Sequence, residues 1–282
     1  MCSMASYGVS TPQNMLLAAL PAAEWGRVRR NLKRVFMPVG DVLYEPAMPV
    51  SHIYFPTTSV IGISCVMTDG HTDAVTLIGR EGCASVEVCL GGDSAPCRAT
   101  VLSEGWGYQI KRDLLNWEYG QGGSMQGVLL RYAQSYITQV TQTSVCNRHH
   151  SIDQQLCRWL LMFLDCQSSN DLALTHEHIA ELMGVRRESV TEAAIGLQIA
   201  GSIRYSRGHI SVVKRTGLEA RACDCYGIAK RETDRLLEIS RRYTKSIVDR
   251  VPLNGTEICN CAQIRRGGSL KNEGRRSQGI SG

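Results

Sequence analysis

The stretch LTHEHIAELMGVRRESVTEAAIGL, Leu174 to Leu197, has the rhythm of two short helices meeting at a glycine. Thr175 suits an N-cap, and Glu177 just after it suits the positive end of a helix. Ile179, Ala180, Leu182 and Met183 recur at helical spacing and give the first helix one apolar face. Ala180 is small where a second helix must cross closely, and Gly184 supplies the sharp turn. Val185 and Val190 then plug the angle between the helices, with Ile195 and Leu197 expected to continue inward. Each position has a steric task, so the pattern predicts a helix-turn-helix. The next segment, GSIRYSRGHISVVK from Gly201 to Lys214, supports that reading against a plain surface hairpin of helices. Ile203 and Tyr205 alternate, Arg207-Gly208 makes a turn, and Ile210, Val212 and Val213 return, which predicts a β-wing.

In a winged helix-turn-helix the N-terminal turns of the second helix enter the major groove first. Here those turns carry Arg186, Arg187, Glu188, Ser189, Thr191 and Glu192. An arginine pairs bidentately with guanine O6 and N7, and a glutamate accepts from the cytosine amino group. Ser189 and Thr191 suit a phosphate or a thymine methyl. On the wing, Arg204, Arg207, His209 and Lys214 are placed to grip phosphates. Thr175 and His176, at the start of the first helix, complete the expected DNA-facing set. The pair His176-x-His178 is read there as solvated or phosphate-contacting, not as metal ligands.

Outward from this unit, Ser151 to Asp165 and Leu218 to Ser240 read as amphipathic helices. A longer helical pattern runs from about Ser124 to Asn147, with Met125, Val128, Leu129, Tyr132, Tyr136, Ile137 and Val140 at helical spacing. A helix of about 24 residues spans roughly 36 Å, too long for one small domain to cover, so part of it is expected to meet its copy in a second chain. Lys111 to Trp117 reads as a short helix, and Met15 to Val35 as a helical segment. Between Met37 and Ile110, short β-branched runs alternate with turn signals such as Gly40-Asp41, Asp69-Gly70 and Gly91-Gly92-Asp93, which predicts a β-barrel or jelly roll. The fold class is therefore α+β, divided into a β-domain over 14–120, a dimerisation helix over 121–148 and a winged domain over 149–217. A C-terminal helix over 218–245 and a disordered basic tail over 246–282 follow.

The chain has 282 residues, a formal charge of +5 and 43% hydrophobic residues. From Arg241 onward nine Lys/Arg stand against three Asp/Glu, so the tail carries the positive charge and the rest is near neutral. The wing and helix-turn-helix, Thr175 to Thr216, hold six Lys/Arg against four Asp/Glu, a modest excess. No apolar run is long enough to span a bilayer and the N-terminus lacks a secretory pattern, so a cytoplasmic protein without membrane partners is expected. The 12 cysteines include no C-x2-C pair; Cys223/Cys225 and Cys259/Cys261 are C-x-C. They are read as buried, inert thiols. His149-His150 also offers imidazoles, and His52, His71 and Cys83 are isolated candidates for haem; none makes a site by itself, and no cofactor or metal is expected. An enzyme on a cupin-like barrel would need an H-x-H and a downstream His, which His52 and His71 do not provide, so no catalytic activity is expected.

The order of β-domain, long helix, helix-turn-helix and wing resembles the Crp/Fnr family of bacterial transcription regulators, over roughly Met15 to Thr216. The likeness is strongest at LTHEHIAELMGVRRESV, which is similar to the family's T-x-x-(D/E)-(I/L)-A-x-x-x-G-x-x-R-E-(T/S)-V core. The resemblance implies a cyclic-nucleotide-binding-type sensor domain and a homodimer whose winged domains read a palindromic operator in double-stranded DNA. RNA polymerase is a candidate further partner. Arg187 and Glu188 fall on the family's base-reading pair, and Ser189 and Val190 on its small hydroxyl and core aliphatic. Glu192 departs, since many members have an arginine there; it either faces a cytosine amino group or pairs with a neighbouring arginine. In the sensor, CASVEVCLGGDSAPCRA places Ala95 and Pro96 where a cyclic-nucleotide binder has its arginine and hydroxyl, with Arg98 about a strand-turn away. Glu87 follows no glycine, and the Fnr-type iron–sulfur site lacks its cysteines, only Cys2 lying near that end. The effector is therefore not expected to be cAMP. The alternative is a sensor or regulatory protein responsive to a cyclic nucleotide or another small ligand.

Overall fold

A computed structural model describes residues 12–250 apart from positions 69, 71 and 168. His71, the Asp69 turn position, Cys2, Cys259, Cys261 and the tail from 251 onward lie outside the described residues.

The N-terminal part is not one helical segment. Asn14 caps a single turn, α1 (Met15–Ala18), and Pro21 starts a second helix, α2 (Ala22–Arg29). Proline is tolerated at a helix start but not inside one, so Leu20-Pro21 forces the break. The chain is extended again by β1 (Lys33–Met37), which takes the Val35 end of the expected helix into a sheet. Asn14 is fully buried: its Oδ1 accepts from Leu16 and Leu17 N–H, while Nδ2 donates to Pro56 and Gly82 carbonyls at 2.9 and 2.8 Å. One side chain thereby caps α1 and ties it to the sheet.

Seven strands form two antiparallel sheets, not a barrel closed by a continuous ladder. β1, β7 (Gly105–Lys111) and β3 (His52–Pro56) make one sheet, in the order β1-β7-β3. β2 (Val42–Tyr44), β6 (Arg98–Ser103), β4 (Val60–Val66) and β5 (Thr72–Ile78) make the other, in the order β2-β6-β4-β5. The sequence expectation of a barrel or jelly roll is met in its two-sheet form, with Ile53, Phe55, Ile61, Ile63, Ile78, Val101 and Ile110 buried in one core. At Gly105, where the chain leaves one sheet for the other, a Cβ would come within 2.6 Å of Ser59 N, so a side chain would block the crossover. A 3-10 turn over Val86–Leu90 bridges β5 to β6.

Helix α3 (Arg112–Gly120) leads to the long helix α4 (Ser124–His149), 26 residues starting and ending within two positions of the expectation. Its N-cap, Gly123, has no side chain; the Glu24 carboxylate of α2 fills the place and accepts from Ser124 and Met125 N–H at 2.9 Å each. Negative charge on orphan amides at the positive helix end is favourable. α5 (Ile152–Cys166) follows with a Ser151/Gln154 capping box.

The winged unit comprises β8 (Asp171–Leu172), α6 (His176–Met183), α7 (Arg187–Ile199), β9 (Ile203–Ser206) and β10 (His209–Val212), with the three strands ordered β8-β10-β9. After α8 (Arg215–Glu219) the last helix, α9 (Asp224–Arg250), runs five residues past its expected end, into the segment expected to begin the tail. It lies antiparallel along α4: Ser135 meets Thr233 at 2.6 Å, Gln134 meets Glu232, and Arg131 meets Ser240. No helix among the described residues is long and apolar enough to cross a membrane.

Candidate nucleic-acid interface

The helix-turn-helix is built as its sequence demands. Thr175 caps α6, its hydroxyl accepting from His178 N–H at 3.1 Å. Gly184 ends α6 in the left-handed region at φ 63°, which a β-carbon disfavours. Val190, Ala194 and Leu197 of α7 are fully buried against Ile179, Ala180 and Met183 of α6, with Val185 packed at the edge. Ile195 departs from expectation. It is 47% exposed and Ile199 84%, so both share the outer stripe of α7 with Glu188 and Glu192. The cause is periodicity: positions 188, 192, 195 and 199 share one face of a helix, while 190, 194 and 197 share the opposite one.

That outer stripe starts at the end of α7 expected to read bases. Arg186, Arg187, Glu188 and Glu192 are exposed, and Ser189 and Thr191 are half-buried. The wing turn lies close by: Arg207 and Gly208 take φ 50° and 82°, the paired positive values of a two-residue hairpin. A Cβ on Gly208 would sit 3.4 Å from the Thr175 methyl, so wing tip and α6 start are neighbours. Arg204, Arg207, His209 and Lys214 are exposed. Arg187 pairs at 3.7 Å with Glu177, both side chains being exposed. Among the described residues, Glu192, Arg186, Arg204, Arg207 and Lys214 form no ion pair. Among the described residues Glu192 is thus not neutralised by a neighbouring arginine.

His176 stands apart from the other candidates. It is 8% exposed, stacks on Tyr205 of the wing at 4.0 Å and meets Thr191 Oγ1 of α7 through Nδ1 at 3.1 Å. One imidazole therefore braces α6, α7 and the wing together, with burial and then the charge of Arg187 holding its pKa below the ordinary value. The brace was not visible in the sequence, where His176 sits beside an exposed Glu177 in a polar first turn.

In the β-domain, the expected departures from a cyclic-nucleotide site have a spatial form. Ala95 is buried, and Arg98 is committed to Glu45 at 2.8 Å. Cys83, Cys89, Cys97, Cys146, Cys157, Cys166, Cys223 and Cys225 are buried and Cys65 half-buried. Burial pushes the Cys89 and Cys97 thiols up to about 12, well away from reactivity.

The family model for a Crp-like helix-turn-helix domain matches residues 154–221. A comparison by sequence with curated proteins finds no match. Among solved structures, the chain is similar to a regulator assigned to the Crp/Fnr family from Eubacterium rectale, with a TM-score of 0.58 and 16% identity over 73% of this chain and 96% of that one. It is also similar to FixK2 from Bradyrhizobium japonicum, with a TM-score of 0.56 and 14% identity over 68% of this chain and 98% of that one. A CRP-family transcriptional regulator from Thermus thermophilus gives a TM-score of 0.56 and 16% identity over 67% and 96%. Residues 154–221 are thus a Crp-like helix-turn-helix domain, set in a chain with the fold of the Crp/Fnr transcriptional regulators.

Proposed function

We propose that the chain is a sequence-selective transcription regulator that binds a palindromic operator as a homodimer in the cytoplasm. The observation that carries this reading is the exposed start of α7, bearing Arg186, Arg187, Glu188 and Glu192, in a helix-turn-helix followed by a wing whose Arg207 and His209 are also exposed. Arg187 and Glu188 read bases, Thr175 and Ser189 contact phosphate, and Thr191 is positioned by His176. On this reading 14–120 is the sensor, 121–148 the dimerisation helix, 149–217 the reader and 218–245 a helix that closes over the dimerisation helix.

The dimer rests on a stripe of α4. Leu130, Gln134, Ile137, Thr141 and Ser144 are exposed at alternating four- and three-residue spacing, with Val145 beside them. That is the repeat by which two helices pack in a shallow supercoil. The effector is not cAMP, because Ala95 and Pro96 supply no phosphate ligand and Arg98 is already paired. RNA polymerase is the further partner of a regulator of this type.

Selection of bound sites from a randomised duplex pool is the direct test. A two-fold repeat with a fixed half-site spacing is expected, and Arg187→Ala should cost about 1–3 kcal/mol at one position of each half-site while leaving the others unchanged. Binding that is blind to sequence would overturn the reading.

A further inference from the structure

Cys146, His150, Cys223 and Cys225 converge from two places far apart in the chain. Cys146 and His150 are one turn apart at the end of α4, His150 being its C-cap residue. Cys223 precedes α9 and Cys225 lies in its first turn. Cys146 and Cys223 Sγ are 3.4 Å apart across 77 positions, Cys225 Sγ is 3.6 Å from His150 Nδ1, and all four ligand atoms lie within 4.8 Å of one another. A tetrahedral zinc with Zn–S bonds of about 2.3 Å spaces its ligand atoms roughly 3.8 Å apart. The cluster therefore matches one ion, and is tighter than a group of ligands shared among several irons requires. The three cysteines are buried and His150 is half-buried, as a closed structural site demands.

A second observation concerns charge. Arg158 of α5 is fully buried beside Cys146, Cys223 and Cys225. Its Nη2 donates to Thr143 Oγ1 at 2.7 Å, but Nε and Nη1 find no hydrogen-bond partner, and among the described residues no carboxylate pairs with it. A buried guanidinium with no counter-charge costs several kcal/mol. A zinc ion with three thiolates and an imidazole carries one net negative charge, which one guanidinium cancels. The cluster and the orphaned arginine complete each other.

We infer that Cys146, His150, Cys223 and Cys225 bind a structural zinc ion whose net charge is balanced by Arg158. The ligand pairs flank the winged domain in sequence: Cys146 and His150 precede α5, and Cys223 and Cys225 follow α8. The ion holds together the two chain segments between which the domain is suspended, and fastens α9 against α4. The site is independent of whether the winged domain reads DNA.

The test is metal analysis of the full chain purified without chelators from zinc-supplemented medium. About one zinc per chain is expected, falling roughly tenfold in Cys225→Ala and unchanged in Cys65→Ser, which lies in the β-domain. His150→Cys should keep the ion, because zinc accepts thiolate in place of imidazole, whereas a residue kept only for packing would give no such rescue. Cobalt added to the chelator-treated protein should produce the thiolate-to-metal absorption of a tetrahedral site. If Cys225→Ala fails to fold, the zinc content and cobalt spectrum of the unsubstituted chain decide. Zinc-free protein with no cobalt absorption would overturn the inference, as would zinc lost equally from Cys65→Ser. A Cys146–Cys223 disulfide in the native protein would also overturn it.

Discussion

Burial gives His176 a measurable signature. The Thr191 hydroxyl donates to the Arg187 carbonyl at 3.0 Å, so it accepts from His176 Nδ1–H, and Nε2 is left buried without a partner. Protonating Nε2 would create an unpaired buried charge near Arg187, which is why the pKa falls below its ordinary 6.5. A group with a lowered folded-state pKa for its cationic form binds more protons when unfolded, so stability falls as pH drops below about 6.5. The thermal midpoint should decrease between pH 7.5 and 5.5, and His176→Phe, which keeps the stacking on Tyr205, should remove part of that dependence. An identical pH profile in the two proteins would show that His176 is not titrating. Glu192 carries the complementary prediction for specificity. Exposed and without an ion pair among the described residues, it is available to a cytosine amino group, so Glu192→Arg should change base preference at one operator position. Unchanged preference in a binding-site selection would place Glu192 away from the bases.

At the scale of elements, α4 has one covered face and one open face. α9 covers the face bearing Ser135, Gln139 and Thr143, and the stripe through Leu130 and Ile137 is left open. Ile137 is 60% exposed at the middle of that stripe, a costly place for an isoleucine in a monomer. Leu130→Glu with Ile137→Glu should convert the dimer to monomer in sedimentation or light scattering while preserving the helix content; a dimer that survives both changes would locate the interface elsewhere. The length and apolar period of α4 were legible in the sequence because both are local. That α9 would take one of its faces was not, since the pairing of Ser135 with Thr233 depends on a turn through the whole winged domain. The zinc ligands escaped for the same reason. Their meaning lies in an i, i+4 pair and a C-x-C pair brought together across 77 positions, and neither half has the spacing of a metal motif. The start of the chain failed differently: helical spacing continued on paper through Pro21 and Val35, but proline geometry ended one helix and pairing with β7 claimed the other end. The wing and the helix-turn-helix were read almost to the residue because turn glycine, cap and apolar period agree there. Ile195 was an exception, an apolar residue expected to point inward that helical periodicity places on the outer face.

Among the described residues, one buried core crosses from the β-domain to the winged domain. Val60, Ala74 and Leu77 of β4 and β5 belong to the same buried cluster as Trp159, Phe163, Ile179 and Met183 of the winged half. At its edge Asp73 of β5 lies so close to Gly184 that a β-carbon there would collide with its carboxylate. The winged domain is therefore seated on β4 and β5 of the β-domain by ordinary apolar packing, and the turn at Gly184 meets the Asp73 side chain at close range. Gly184→Ala introduces two separable penalties. The left-handed backbone costs about 1–2 kcal/mol wherever the domain sits, and the collision adds to it only while the winged domain is seated on β5. Asp73→Ala removes the collision alone. The thermal midpoint of Gly184→Ala should thus recover partly, but not fully, when Asp73→Ala is added, giving a non-zero coupling in a double-mutant cycle. Leu77→Ala, made in the β-domain, should cost about 2–4 kcal/mol and lower the melting of the β-domain and the winged domain together as one calorimetric transition. Additive effects of the first pair, with two separate transitions in Leu77→Ala, would mean that the two halves are linked only through α4 and do not share a core in solution.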